Sequence, residues 1–247
     1  DKYRRDDGYY DCILPISGGK SSHFQSYVVT EKLDLNPLFV RVADPFTKTE
    51  VGRHNLRNLR EVFEADIITR QFNPKAEKEL VKAAFEELGF PLWPHERAIM
   101  TAPIRLAVDM DIPFVIYGEH GNWEYGGEGF DHRDEEPSDA KNQVYNQVVP
   151  DIENEFWIER GIDREDLNMV QYPTEGELDS VDIMPIWLSY YIPWDVYKSR
   201  QIAKQYGFRD LKHEWDREGY IDEFDQIDSV AYHMNIWLKY PKYGFGR

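Results

Sequence analysis

At 247 residues, with 41% hydrophobic and 15% aromatic residues, the chain is long enough to bury a sizeable core as one large domain. Its formal net charge of −17 and the absence of a basic stripe argue against non-specific binding to nucleic acid. A single cysteine, Cys12, excludes a disulfide framework, and no apolar run is long enough to span a membrane.

The first residues, Asp1-Lys-Tyr-Arg-Arg-Asp-Asp7, carry no apolar signal segment, so a cytoplasmic protein is expected. The chain does not begin with Met, which suggests part of something longer. Tyr10–Ile16 reads as a first strand, with Cys12 as a buried strand residue. It ends abruptly in Ser17-Gly-Gly-Lys-Ser-Ser22, and a helix follows from about Lys20 to Glu31. Adjacent glycines let the backbone turn tightly and bring its N–H groups against a ligand. A helix starting there adds unpaired N–H donors and a positive dipole end. The combination predicts a phosphate site.

Three other motifs fail at this loop. Walker A requires glycine where Leu14 stands, and Gly-x-Gly-x-x-Gly is absent. Ser17-x-x-Lys20 matches the first motif of serine acyl-transfer enzymes, but their Lys-Thr-Gly is missing. The Ser-Gly-Gly-x-x-Ser pattern of the ATP pyrophosphatases, the PP-loop, remains. An ordinary glycine turn is the competing reading of the same residues.

Farther along, Leu38–Val42 reads as strand two, Asn55–Phe63 as a helix and Asp66–Thr69 as a short strand. Pro74 suits a helix start, and Leu80, Ala83, Ala84 and Leu88 form an apolar stripe closed by Gly89. Ile99–Val108 reads as helix, and Pro113–Tyr117 as the last strand, ending at Gly118-Glu119. Strands alternating with helices predict an α/β, doubly wound, mostly parallel sheet with a helical C-terminal part. Ligands in such sheets lie at the carboxyl ends of the strands, where the Ser-Gly-Gly loop and Glu119 both fall. Residues 1–130 would be the nucleotide-binding core, and residues 131–247 the substrate-side loops and helices of the same domain.

The second half is less regular. Gly118–Asp139 reads as a long loop, Asn142–Glu159 as helical and Pro173–Ser180 as a polar loop. Ile183–Ile192 is apolar, Asp195 caps a helix from Val196 to Tyr206 closed by Gly207, and Asp222–Lys239 reads as a final amphipathic helix. His120 and His132 lack tight ligand spacing, which favours a solvated acidic loop over a metal site. His54 and Asn55 are read as opening a helix, where capping competes with contact to phosphate or sugar. Arg97 and Arg105 are candidates to offset substrate charge, or surface ion-pair partners.

Ile16-Ser-Gly-Gly-Lys20, Val51–Leu59, Tyr117-Gly-Glu119, Glu124-Tyr-Gly-Gly127, Tyr191-Ile-Pro-Trp-Asp195 and Lys242–Arg247 together resemble the N-acetyl sugar amidotransferases. These are bacterial PP-loop enzymes of surface-glycan biosynthesis, including lipopolysaccharide and O-antigen. The resemblance spans nearly the whole chain. It implies conversion of an acetamido group on an N-acetylated, nucleotide-linked sugar to an acetamidino group. ATP is consumed to AMP and pyrophosphate, and a separate glutaminase subunit supplies ammonia. It also implies a zinc site on paired cysteines ahead of the loop, outside this segment.

On this reading Ser17, Gly18, Gly19, Lys20, Ser21 and Ser22 hold the pyrophosphate of ATP, and the Val42 backbone meets adenine. Lys20 and Glu119 are the candidate catalytic residues, with Glu119 also the Mg²⁺ ligand. Glu124, Tyr125, Gly126, Gly127 and Arg105 would touch the substrate. One departure stands out: Ser21 occupies the place where the usual loop has an aspartate, and a hydroxyl is a poor substitute toward Mg²⁺. Two alternatives are a PP-loop tRNA-modifying enzyme, disfavoured by the acidic charge and lack of a cysteine pair, and a non-catalytic nucleotide-binding subunit.

Overall fold

A computed structural model describes residues 2–46, 48–119, 149, 152–211 and 238. Five parallel strands form its sheet in the order β3-β2-β1-β4-β5: β1 Cys12–Pro15, β2 Pro37–Ala43, β3 Ile67–Gln71, β4 Phe114–Tyr117 and β5 Met184–Trp187. The order reverses direction between β1 and β4, where Ile13 lies beside Val115. This is the switch point at which two loops diverge and leave a crevice at the carboxyl ends of the strands.

Both faces of the sheet are covered, which is why its strands read as continuous apolar runs. Alternation along each strand still decides which side chain meets which layer. Cys12, Leu14, Phe39 and Ile116 point to one core with Phe24, Val28 and Leu59. Ile13, Leu38, Val40, Val115 and Tyr117 point to the other, with Ile104, Leu106 and Ala107. The first layer is built by α1 (Lys20–Tyr27), α2 (Glu50–Val62) and later α8 (Val196–Gln205). The opposite layer is α4 (Trp93–Asp109), reached through α3 (Pro74–Leu88). A third apolar cluster joins α3 and the start of α4 to residues 149–170, centred on Trp93 and Trp157 with ring centroids 4.6 Å apart.

Local chemistry sets the helix ends. Asn73 caps α3 by accepting from the Lys75 N–H, Pro74 follows it, and Gly89 closes the helix at φ 62°. Helix α8 begins at Asp195, which accepts from the Tyr197 and Lys198 N–H groups, and stops before Gly207 at φ 87°. Helix α1 does not run on regularly to Glu31. It passes into a π-turn over Val28–Lys32, with the Leu33 N–H bonded to the Val28 carbonyl, and Val28 and Val29 are buried against the sheet. Helix α2 opens at Glu50 rather than Asn55, capped by Thr49, whose hydroxyl accepts from the Gly52 N–H.

Beyond β4 the structure corrects two expectations. The apolar run after Ile183 contains a strand, β5, so β4 is not the last. Pro185 masks it in the sequence because proline cannot donate to a ladder; it is tolerated here because β5 is an edge strand among the described residues, with β4 as its neighbour. The polar stretch Pro173–Ser180 is mostly helix, α6 (Glu175–Val181), started by a capping box between Thr174 and Glu177. Two short helices, α5 (Asn154–Ile158) and α7 (Leu188–Tyr191), complete the set described. The expected helix at 222–239, residue 238 apart, and half of the one at 142–159 lie outside the described residues.

Candidate functional site: the loop after the first strand

Strand β1 delivers its chain to the crevice in a tight conformation. The Ile16 N–H still bonds the Val40 carbonyl, and the ladder ends there. The Ser17 N–H then donates to Ser22 Oγ at 2.9 Å, and the two serine hydroxyls lie 3.1 Å apart. Ser22 thus ties the loop back onto the first turn of α1. Gly18 sits at φ 99°, a conformation that strains any L side chain, and its missing Cβ faces the Leu56 backbone at 3.5 Å. Gly19 is the N-cap of α1 and has no side chain to cap with. The N–H groups that open α1 therefore have the arrangement that binds anions.

Lys20 and Ser21 are the first residues of α1, both half-buried, whereas Ser22 is buried. Glu119 follows β4 and is half-buried. Ser17 follows β1 and Glu119 follows β4, neighbouring strands paired at Ile13 and Val115, so both leave the sheet at its carboxyl edge. Gly118, which joins β4 to Glu119, is confined: a Cβ there would lie 3.2 Å from Gln25 Oε1 and 3.4 Å from the Trp194 ring. Gln25 of α1 also donates to the Ile116 carbonyl at 2.6 Å, so α1 is pinned directly to the end of β4. The two sides of the crevice are thereby held at fixed separation. Val42 lies near the carboxyl end of β2, paired with Arg70, its side chain against the Phe72–Trp93 cluster.

Arg105 does not join this group. It lies in the last turns of α4, which runs against the strands and ends at Asp109 just before β4 begins. That places it toward the amino ends of the strands, away from the loop. Its guanidinium donates to Glu177 Oε1 at 2.6 Å. Glu177 is held at about 2, well below the usual carboxylate range, first by that bond and then by the Thr174 N–H and hydroxyl. Arg97 is buried, donating through Nε to the Val170 carbonyl and lying over the Tyr172 ring. His54 and Asn55 open no helix. Standing in the second turn of α2, they grip the turn after α8: His54 Nε2 lies 3.0 Å from the Gly207 carbonyl, and Asn55 exchanges two bonds with the Arg209 backbone. Glu124, Tyr125, Gly126 and Gly127, with His120 and His132, lie outside the described residues.

One residue at the loop carried no sequence signal. His23 is fully buried, with Nδ1 2.8 Å from the Gly19 carbonyl and Nε2 3.1 Å from Asn58 Oδ1. Its ring meets Phe208 edge-on. Burial pulls its pKa below the ordinary histidine value, against the opposing effect of these bonds. Cys12, buried beside Asp11, has its thiol pKa pushed far up, which removes it as a nucleophile. Among the described residues no group of three or more His, Cys, Asp and Glu side chains is arranged to hold a metal ion.

The sequence matches no family model and no curated protein at a significant level. Among solved structures it is similar to a predicted subunit of tRNA methyltransferase from Methanocaldococcus jannaschii, at 11% identity and a TM-score of 0.41, over 78% of this chain and 75% of that one. It is also similar to NMN synthetase from Francisella tularensis, at 12% identity and a TM-score of 0.35, over 94% of this chain and 85% of that one. Likeness at this level says nothing of reaction or substrate.

Proposed function

We propose that the chain is an ATP-using enzyme of the PP-loop type that converts the acetamido group of an N-acetylated sugar to an acetamidino group. The observation that carries the nucleotide part is the Ser17–Ser22 loop at the switch point of the sheet, with Gly18 at φ 99° and Ser22 closing back on Ser17. The sugar and its carrier nucleotide rest on the resemblance of the separated motifs to the N-acetyl sugar amidotransferases.

An amide carbonyl is a poor electrophile toward ammonia. Attack of its oxygen on the α-phosphorus of ATP breaks the bond to pyrophosphate and leaves an adenylylated imidate. Ammonia adds to the imidate carbon, the C–O bond to AMP breaks, a proton is lost, and the amidine remains. The protein mainly positions the reactants and stabilises charge. The N–H groups of Gly18, Gly19 and Lys20, with the hydroxyls of Ser17 and Ser22, would hold the departing pyrophosphate. Glu119 would anchor Mg²⁺, which neutralises phosphate charge when bound.

Ser21 favours a second reading. With a hydroxyl where a carboxylate is expected, the chain would bind nucleotide without turnover. One experiment decides between them: AMP release from ATP with candidate nucleotide-linked N-acetyl sugars and ammonium. Sugar- and ammonium-dependent AMP supports the amidotransferase. ATP binding without AMP formation supports the binding subunit, and no ATP binding overturns both.

A further inference from the structure

We infer that His23 is a positioning residue of the phosphate loop, and that it couples the loop to the turn following α8 through Asn58. This rests on the nucleotide reading above and adds to it a residue that the loop motif does not contain.

The Gly19 carbonyl receives two donors from one residue, the His23 N–H at 3.0 Å and the imidazole Nδ1 at 2.8 Å. In a trans peptide the carbonyl and the following N–H point in opposite directions. Clamping the Gly19 carbonyl into α1 therefore aims the Lys20 N–H outward, to where an anion would sit. Gly19 has no side chain to fix its own peptide plane, and glycine is the residue with most backbone freedom to lose. His23 supplies the missing constraint from one turn below.

The ring can do this in only one neutral form. A carbonyl only accepts, so Nδ1 carries the proton and Nε2 must be the acceptor. The Asn58 atom placed as Oδ1, 3.1 Å from Nε2, must then be the NH₂ end of the carboxamide, whose two ends have the same shape. The Asn58 carboxamide also packs against the turn after α8, where a Cβ on Gly207 would stand 2.5 Å from its nearer end, and His54, one turn earlier on α2, holds the Gly207 carbonyl. Phe208 closes over the His23 ring. A continuous polar and aromatic path thus leads from residues 207–209 through Asn58 and His23 to the anion-facing N–H.

The test uses two replacements that each keep half of the imidazole. His23→Asn retains a donor at the Nδ1 position and loses the reach to Asn58. His23→Gln retains the reach to Asn58 and loses the bond to Gly19. Calorimetric titration with Mg·ATP and with inorganic pyrophosphate should find His23→Asn within threefold of wild type and His23→Gln at least tenfold weaker, although both lose similar thermal stability. A merely structural role would move affinity and melting temperature together. Equal affinities of the two variants overturn the proposal alone. Wild-type protein that binds neither probe overturns the nucleotide reading and this proposal with it. Should His23→Gln fail to fold, the ¹⁵N shifts of the imidazole in the unmutated protein decide: protonated Nδ1 and unprotonated Nε2 support the assignment, and the opposite tautomer overturns it.

Discussion

Gly18 and Gly19 are adjacent and chemically identical, yet their replacement should have opposite consequences. Gly18 holds φ 99°, so Gly18→Ala forces an L residue into strained backbone at a cost of about 1–3 kcal/mol. Gly19 sits at φ −84°, which any residue adopts, so Gly19→Val should fold normally. Its branched side chain would instead occupy the space a phosphate oxygen needs. Chemical denaturation should therefore report on the first variant and ATP calorimetry on the second; unchanged ATP affinity in folded Gly19→Val would remove the phosphate assignment. At Ser21, a Mg²⁺ titration of AMP release should show Ser21→Asp reaching half-maximal activity at lower Mg²⁺. Glu119→Gln in the Ser21 background should be inactive. No shift in the first with full activity in the second would put the metal elsewhere. The conformation of the loop was legible because glycine and serine at fixed spacing encode backbone directly. His23 was not, because Asn58 and the Gly207 turn reach it only through the fold.

Helix α6 shows how a short element depends on its cap. Thr174→Ala removes the hydroxyl that accepts the Glu177 N–H and should lower stability by about 1 kcal/mol, read as a shift of the urea midpoint. Acid should act through the same box. Glu177 has its pKa lowered to about 2 in the folded protein, so it contributes stability that is fully present above its ordinary value. That contribution is lost as pH falls from the ordinary glutamate range toward 2. Wild type should lose stability steeply across this window, and Glu177→Gln less so. The cap pattern was visible in the sequence but masked by surrounding polarity, just as Pro185 concealed β5. By contrast α3 was legible from end to end, because Asn73, Pro74 and Gly89 mark both its termini and its stripe keeps helical period throughout. Helix α2 starts at Glu50, before the apolar stripe of Leu56 and Leu59 makes its period legible, and the lone Thr49 cap has no partner of capping-box type at Gly52.

At the scale of the molecule, the net charge of −17 opposes the approach of ATP. Raising ionic strength from about 0.01 to 0.15 M shortens the Debye length from roughly 30 to 8 Å and should lower KM for ATP, the reverse of what a basic nucleic-acid binder shows. A KM that rises with salt would reveal local cations that dominate the crevice. A parallel sheet with helices on both faces was readable from the alternation of apolar runs with helical stripes, whereas the strand order, the helices of each layer and the place of β5 depended on the assembled sheet. The pairing of β1 with β4 has a further consequence, in time rather than in space. The loop that would grip phosphate is synthesised before the strand beside it, which emerges only after α3 and α4. Until then β1 lacks one neighbour and the crevice one wall, and closing so long a stretch of chain is slow. A fragment ending at residue 112 should therefore bind no ATP and be cut rapidly by protease. In the 247-residue chain, ATP at about 100 times its Kd should add about 2.7 kcal/mol to the folded state. Nucleotide would then act as a check on closure of the sheet, protecting only molecules in which β4 has joined β1.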